Sequence, residues 1–278
     1  MLPELRLAQI PPNAQSAYTG DRISYMEAGE PDAFPVMLLH GIGANSAHWR
    51  FQFEGLANDY RVVAWNAPGY YLSDNLMVET PTPEDYANTL KYLADWLGTD
   101  RFHLVGNSFG SQIAGCFVSF YPEYVQSLAM TGTSRGRGFL SPAEKDQVRA
   151  DRLEQISAGG FRFGSQRWRA LFGLDPDPDN VQLVQEVLRL TNRDGFLQAV
   201  RFGLELDTLP LASNWEKPML IIQGSADQIT PYGSNGAKLA ELVANCHTEL
   251  LEGVGHLPEL EAADTVNQLL LEFFAANE

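Results

Sequence analysis

The chain contains 278 residues, of which 45% are hydrophobic and 19% are charged, and its formal net charge is −16. This composition is ordinary for a globular protein with a large core, and the lack of an 18-residue apolar run argues against a membrane-spanning helix or a membrane partner. A strongly acidic surface repels phosphate groups, so we also expect no nucleic-acid partner. Residues 1–12 lack a basic start followed by an apolar block, which predicts no signal peptide and a cytoplasmic location.

The first 133 residues alternate apolar runs with helical patterns. Residues 21–28 alternate in polarity and predict a strand near the sheet edge, with which residues 5–10 can pair. Continuous apolar runs, typical of strands buried on both faces, lie at 35–39, 61–65, 102–107 and 125–131. Helices are predicted at 82–97 and 109–121. Strands that alternate with helices in this way predict an α/β protein, with a parallel sheet covered by helices on both faces.

Residues 134–213 break this alternation. Apolar strands are not evident there, and helical patterns occupy 142–156, 165–172, 181–190 and 195–204. The alternation returns with a strand at 218–224, a helix at 233–244, a strand at 247–252 and a helix at 259–275. We therefore expect three parts: a first core part at 1–133, a helical cap or lid at 134–213, and a second core part at 214–278.

Ser108 lies in the stretch Gly106–Gly110, between an apolar strand and a helical pattern. G-x-S-x-G at such a junction is the pattern of a nucleophile elbow, in which small residues let the chain turn sharply below an exposed serine hydroxyl. The positive end of the following helix would lie beneath that hydroxyl. The same five residues also fit a glycine-rich turn that carries no chemistry, so the rest of the chain must decide.

A nucleophilic serine needs a general base, which we expect C-terminal to Ser108 in a fold of this kind. His256 follows a strand in a glycine-rich loop, whereas His247 stands at the start of that strand and so at the wrong end. The sequence therefore predicts His256 as the base. The alternative is a loop histidine that only caps the last helix.

The base in turn needs an acid that orients it. Asp227 lies three residues past the end of the strand at 218–224, where its carboxylate could accept a hydrogen bond from His256. The alternative is an aspartate in an Asx turn, with Glu249 and Glu252 as weaker candidates for the acid. We predict a catalytic triad of Ser108, Asp227 and His256.

A tetrahedral intermediate needs two donors aimed at its oxyanion. The backbone N–H of Phe109, directly after the serine, supplies one, and the loop after the strand at 35–39 should supply the other from Ile42. Gly41 and Gly43 would let that loop approach closely. His40 is predicted to be a buried structural residue.

Metal and cofactor motifs are missing from the sequence. Cys116 and Cys246 lack metal or redox spacing, and neither a G-x-G-x-x-G nor a Walker loop occurs. We expect neither a metal nor a cofactor.

Five motifs in order resemble one family: His40-Gly41, Ala67–Gly69, Gly106–Gly110, Asp227 and Gly255–Pro258. Together they make the chain look like a serine-dependent α/β-hydrolase with a helical cap. The resemblance implies a mostly parallel central sheet with helices on both faces and the cap inserted after the sixth strand. A serine at position 108 argues against the branches that attack through an aspartate.

The substrate is indicated by two partly conflicting resemblances. The stretches 218–231 and 251–261 resemble enol-lactonases and small esterases, whereas Asn107 before the serine resembles carbon–carbon hydrolases of aromatic meta-cleavage pathways. The second group usually has a tryptophan where Leu257 stands. We therefore predict hydrolysis of a small carboxylic ester or lactone through an acyl-enzyme. Hydrolysis of a dienoate is the alternative, and a ligand-binding receptor that retains the triad is a remote third.

Candidate substrate-binding residues flank the triad or lie in the cap. Those near the triad are Gly41, Asn107 and Leu257, and those in the cap are Arg135 and Trp168. Residues 135–169 contain eight basic and four acidic side chains, a net +4 in an acidic chain. Solvated cap helices explain this charge simply, but a patch that anchors an anionic substrate is the sharper hypothesis. The oligomeric state stays open.

Overall fold

The computed structural model describes the backbone of residues 1–278 and every side chain except that of Phe161. Its strands are β1 (Leu5–Gln9), β2 (Arg22–Ala28), β3 (Pro35–Leu39), β4 (Arg61–Trp65), β5 (Phe102–Asn107), β6 (Val125–Thr131), β7 (Met219–Gly224) and β8 (Cys246–Leu251). They form one sheet in the order β1-β2-β4-β3-β5-β6-β7-β8. β2 pairs antiparallel with β1 and β4, and all other neighbouring strands are parallel.

The helices are α1 (Arg50–Leu56), α2 (Pro83–Trp96), α3 (Phe109–Phe120), α4 (Pro142–Ser157), α5 (Gly160–Arg167), α6 (Pro178–Arg189), α7 (Arg193–Glu205), α8 (Leu209–Ala212), α9 (Gly236–Ala240), α10 (Pro258–Glu261) and α11 (Ala263–Ala275). Two apolar clusters cover the two faces of the sheet. Side chains of α2 and α3 contribute to one cluster, and side chains of α1 and α11 contribute to the other. The predicted α/β class, with helices on both faces, is confirmed.

Helices α4–α8 lie between β6 and β7, after the sixth strand as expected. We refer to residues 134–213 as the helical insertion. Its apolar side chains form a third cluster, which also includes Leu257 and Leu260 from the region after β8. The insertion is therefore packed against the segment that carries His256.

Three helix boundaries differ from the prediction. The helix expected at 165–172 is α5, which begins at Gly160 after Gly159 turns the chain with a φ of 85°. The helix expected at 233–244 is reduced to α9. The last helix is divided into α10 and α11 at Ala262, whose ψ of 48° interrupts the helical backbone. The boundaries at Gly159 and Ala262 lie at non-helical backbone angles, whereas α5 and α9 end at residues whose angles are helical.

None of the described helices is both long and apolar enough to cross a bilayer.

Candidate active site

Ser108 occupies a sharp turn between β5 and α3. Its backbone has a φ of 52°, a left-handed value that costs a non-glycine residue about 1–3 kcal/mol. A Cβ on Gly106 would lie 2.5 Å from the carbonyl oxygen of Gly110, and a Cβ on Gly110 would overlap the backbone of Leu39. Only glycine therefore fits at the positions two residues before and two residues after Ser108. The surrounding backbone keeps Ser108 in its strained conformation.

His256 and Asp227 form a buried hydrogen-bonded pair. The two atoms that meet are His256 Nδ1 and Asp227 Oδ2, at 2.8 Å. Because Nδ1 donates to the carboxylate, the Nε2 atom of His256 is left as the basic nitrogen. His256 and Ser108 line the same cavity. The structure thus brings together the three residues that the sequence proposes as a triad.

The Asp227 carboxylate accepts hydrogen bonds at both oxygens. Oδ1 accepts the amides of Ile229 at 2.8 Å and Thr230 at 3.0 Å. Burial by itself would raise the pKa of Asp227, but the hydrogen bond and charge of His256, together with the donors of Thr230, lower it below its usual value. The carboxylate is therefore ionised at neutral pH and can stabilise an imidazolium on His256.

Gln223 and Thr230 hold Asp227, and sequence reasoning missed both. Gln223 Nε2 donates to Asp227 Oδ2 at 2.5 Å, while its Oε1 accepts the amide of Thr133 at 2.9 Å. The Thr230 hydroxyl lies 2.9 Å from Asp227 Oδ2 and 3.1 Å from His256 Nδ1. A fully buried glutamine near the end of an apolar strand was the signal that could have revealed this support.

The amides of Ile42 and Phe109 are the predicted donors to an oxyanion. Both residues line a cavity together with Ser108. Among the hydrogen bonds of the described residues, none uses the N–H of Ile42 or Phe109 as a donor. Two unused donors near the serine can stabilise a developing negative charge, and the positive end of α3 adds to this effect.

Gly41, Asn107 and Leu257 lie where the sequence predicts, around the same cavity as Ser108 and His256. Asn107 Nδ2 is 3.3 Å from the hydroxyl of Thr131 and 3.4 Å from the carbonyl oxygen of His256. Asn107 therefore joins the end of β6 to the loop that carries the base. Its role in this structure is to hold that loop.

Three adjoining cavities lead away from the serine. The inner cavity, lined by Ser108 and His256, has a volume of about 20 Å³, which is room for about one water molecule. A connecting cavity of about 60 Å³ also contacts Ser108, and an outer cavity of about 430 Å³ opens beyond it. Arg167 lines all three. The space directly around Ser108 is small, and its neighbour is a large basic cavity.

Arg135 and Trp168 are placed differently from the other candidates. The guanidinium of Arg135 stacks 3.9 Å from the ring of Phe139 and lies 3.8 Å from the carboxylate of Asp207. Trp168 packs against Phe172. Among the described arginines, Arg137, Arg152 and Arg167 line both the outer and the connecting cavity, whereas Arg135 lines neither.

His40 is a neutral structural residue, as predicted. Burial lowers its pKa to about 4. Nε2 of His40 accepts the amide of Ala67 at 3.1 Å, and Nδ1 lies 2.9 Å from the carbonyl oxygen of Gly41. His40 therefore fixes the loop that presents Ile42.

Glu261 links the helical insertion to the loop of the base, a contact that no sequence motif indicates. Its two oxygens accept the amides of Gly173 at 2.7 Å and Gly255 at 2.9 Å. The amide of His256 donates to the carbonyl of Leu171 at 2.8 Å. The bonds from Gly173 to Glu261 and from His256 to Leu171 thus connect the insertion with the segment that carries His256.

His48, which lines the inner cavity, forms a second buried pair with Glu259. His48 Nε2 lies 2.6 Å from Glu259 Oε1, and both side chains are almost fully buried. Among the described side chains, there is no cluster of three or more metal-type ligands.

Comparisons with known proteins show the family of the chain and its fold. A sequence profile described as alpha/beta hydrolase fold matches residues 35–263. The chain is 28% identical over 272 residues to a 2-hydroxy-6-oxononadienedioate/2-hydroxy-6-oxononatrienedioate hydrolase of Pseudomonas putida, covering 90% of this chain and 91% of that protein.

Two solved structures are similar in shape. The enol-lactonase of Burkholderia xenovorans LB400 superimposes with a TM-score of 0.83 at 19% identity, covering 94% of this chain and 98% of that one. An esterase of Exiguobacterium antarcticum gives a TM-score of 0.84 at 20% identity, covering 96% and 98%. At these identities the likeness concerns the fold alone.

Proposed function

The chain belongs to the α/β hydrolase fold family and is a hydrolase, and from that premise we propose that it cleaves a small carboxylic ester or lactone through an acyl-enzyme. The observation that carries this proposal is the His256–Asp227 hydrogen bond of 2.8 Å in a cavity shared with the strained Ser108. A buried acid–base pair beside a serine held at an elbow is the arrangement that nucleophilic catalysis needs.

In the first half-reaction, Ser108 Oγ attacks the substrate carbonyl carbon while His256 Nε2 takes its proton. Asp227 stabilises the imidazolium that forms, because its carboxylate is ionised and bonded to Nδ1. The amides of Ile42 and Phe109 hold the oxyanion. His256 then protonates the leaving alkoxide, and the carbonyl re-forms as an ester of Ser108.

In the second half-reaction, His256 removes a proton from water, which attacks the Ser108 ester. The second tetrahedral intermediate collapses with release of the acid, and the proton returns to Ser108. For a lactone, the leaving alkoxide stays attached to the acyl group. The same residues therefore serve both substrate classes.

We assign residues 134–213 as the cap that closes this site. The assignment is supported by the lining of the inner cavity, which combines Ser108 with Leu171, Val184 and Leu188 of the insertion. The three arginines of the insertion further favour a small substrate with negative charge.

Hydrolysis of a carbon–carbon bond in a dienoate is the second candidate. It is favoured by the relative of Pseudomonas putida, which is named for hydrolysis of a dienedioate, and by Asn107 beside the serine. Leu257 beside the base favours the ester or lactone. A receptor that binds a ligand with little turnover is the remaining candidate.

A panel of 4-nitrophenyl esters, lactones and dienoates, measured with the native chain and with Ser108→Ala, separates these candidates. We expect turnover of esters or lactones by the native chain and trapping of Ser108 by a fluorophosphonate, seen as a mass increase. Turnover of dienoates alone would select the second candidate. Tight binding with less than about one turnover per minute on all substrates would select the receptor.

A further inference from the structure

Arg137, Arg152 and Arg167 come from three different parts of the helical insertion and meet around one space. Arg137 follows β6, Arg152 lies in α4, and Arg167 is the last residue of α5. All three line the outer cavity and also the connecting cavity that contacts Ser108. A substrate that reaches the serine through these cavities must pass their guanidinium groups.

The charges of these arginines are poorly balanced within the protein. Among the described side chains, none of the three forms an ion pair with a carboxylate. Arg152 donates to the neutral Gln155 at 2.9 Å, and the Nε of Arg167 is buried without a hydrogen-bond partner. Asp151 also lines the outer cavity. One acid near three cations leaves about two positive charges uncompensated.

The pKa directions agree with this geometry. Burial, followed by repulsion from Arg137, lowers the pKa of Arg152 to about 10. Burial and the charge of Arg152 lower the pKa of Arg167, and burial lowers that of Arg137. Arginine keeps its proton at neutral pH, and these charges lack a carboxylate partner within the protein, which is unfavourable. An anion would relieve both the burial and the mutual repulsion.

We propose that Arg137, Arg152 and Arg167 form a binding site for a dianionic acid group of the substrate, such as a pair of carboxylates. The inference rests on the proposed hydrolase function, since it names the part of the substrate that lies beyond the scissile carbonyl. Guanidinium groups bind carboxylates and phosphates through paired, charge-assisted hydrogen bonds, which fits either source of the two charges. The substrate would then be an ester or lactone of a polyacid.

The first test compares three 4-nitrophenyl esters that differ in the charge of the acid: butanoate, the monoester of glutarate, and the monoester of propane-1,2,3-tricarboxylate. These carry no, one and two free carboxylates. We expect kcat/KM to rise by about tenfold or more for each added charge, and the rise to shrink with added salt. In Arg152→Gln, the ratio of the dianionic to the neutral ester should fall by about 10- to 100-fold.

Arg149→Gln is the matched control. Arg149 lies on the same helix but is paired with Asp146 and Glu205 at the surface. We expect this variant to keep the charge preference of the native chain. Circular dichroism and thermal melting establish that both variants are folded.

The second test measures binding without turnover. Calorimetry with Ser108→Ala should detect glutarate or inorganic phosphate more tightly than butanoate, and the added Arg152→Gln change should weaken that binding by about tenfold or more. Which of the two dianions binds better distinguishes a carboxylate pair from a phosphate group.

The outcomes separate the two proposals. Ester turnover without charge preference, unchanged in Arg152→Gln, would overturn the anion site and leave the hydrolase function intact. Arginine-dependent binding of a dianion by Ser108→Ala, with no hydrolysis by the native chain, would support the anion site and overturn the proposed reaction.

Discussion

The protein compensates the charge of Asp227 at the strand ends but leaves the charge of Arg152 in the cavity without a counter-charge. The Asp227 carboxylate accepts hydrogen bonds from two amides and from the side chains of Gln223, Thr230 and His256. Arg152 lies among other arginines and is bonded to a neutral amide. The first region is complete before any substrate arrives, whereas the second lacks its counter-charge.

This difference indicates different tasks. A carboxylate whose partners are fixed in advance costs no rearrangement when charge develops on the base, so it suits catalysis. Cations without partners gain most when an anion arrives, so they suit recognition. The same comparison predicts that changes near Asp227 act on the rate of chemistry and changes near Arg152 act on selectivity.

The largest effect is expected from Ser108→Ala. Loss of the nucleophile should lower kcat by roughly 10⁴-fold or more, because the acyl-enzyme cannot form. Stopped assays on the best ester, with the thermal melting curve as a check on folding, measure this. Ser213→Ala, on the exposed side of the insertion, is the control and should keep full activity. Near-native turnover in Ser108→Ala would refute the triad.

Asp227→Asn should lower kcat by roughly 10³- to 10⁴-fold, since the amide can hold His256 in the wrong tautomer. If Asp227→Asn changed the preference for charged substrates and left kcat unchanged, the assignment of Asp227 to chemistry and Arg152 to selectivity would be wrong.

The same variant tests the pKa of Asp227 through stability. In the folded chain this pKa is lowered, whereas in the unfolded chain it is about 4. Ionised Asp227 therefore stabilises the fold above about pH 4, and this contribution is lost as the pH falls through the folded pKa. Urea unfolding between pH 7 and 3 should show the native chain losing its advantage over Asp227→Asn. Asp32→Asn, at an exposed position, should show no such trend.

Glu261→Gln should have an intermediate effect. One of the two amide donors, Gly173 or Gly255, would face an NH₂ group, which costs about 1–3 kcal/mol of unfolding free energy. Because these donors connect the insertion with the loop of the base, kcat should also fall. Equal losses in Glu272→Gln, an exposed change on α11, would contradict a specific role for Glu261.

The smallest effect is expected from Arg149→Gln. Its ion pairs with Asp146 and Glu205 lie at the surface, where such pairs contribute about 1 kcal/mol or less. Thermal melting at low and high salt measures the change. A loss larger than the one in Glu261→Gln would show that paired surface charges matter more here than the contacts of the base.

The sheet and the proposed triad could be anticipated because their signals are local. Each buried strand is a continuous apolar run, Ser108 and Asp227 each follow such a run, and His256 follows the edge strand β8. Parallel strands bring their carboxyl ends to one edge, so residues far apart in sequence were expected together. Helix ends were less predictable, because α5 and α9 are bounded by backbone angles that apolar periodicity does not record.

The anion site and the support of Asp227 could not be located from the chain alone. Eight basic residues between 135 and 169 look alike in sequence, and only the packing of the insertion distinguishes Arg152, which lines the cavities, from Arg149, which faces solvent. Arg135 stays a predicted substrate-binding residue, and its approach to Asp207 at 3.8 Å could not be located from the chain either.

The hydrogen bond from the amide of His256 to the carbonyl of Leu171 has a consequence for the timing of a turnover. Leu171 also lines the inner cavity, which is too small for an acyl group as it stands. A substrate that shifts the backbone of Leu171 on entry would therefore also shift His256, and the base would regain its alignment when Leu171 returns. The base would then be misaligned while the substrate enters and aligned again only once the substrate is enclosed, which sets the order of the two events in each turnover.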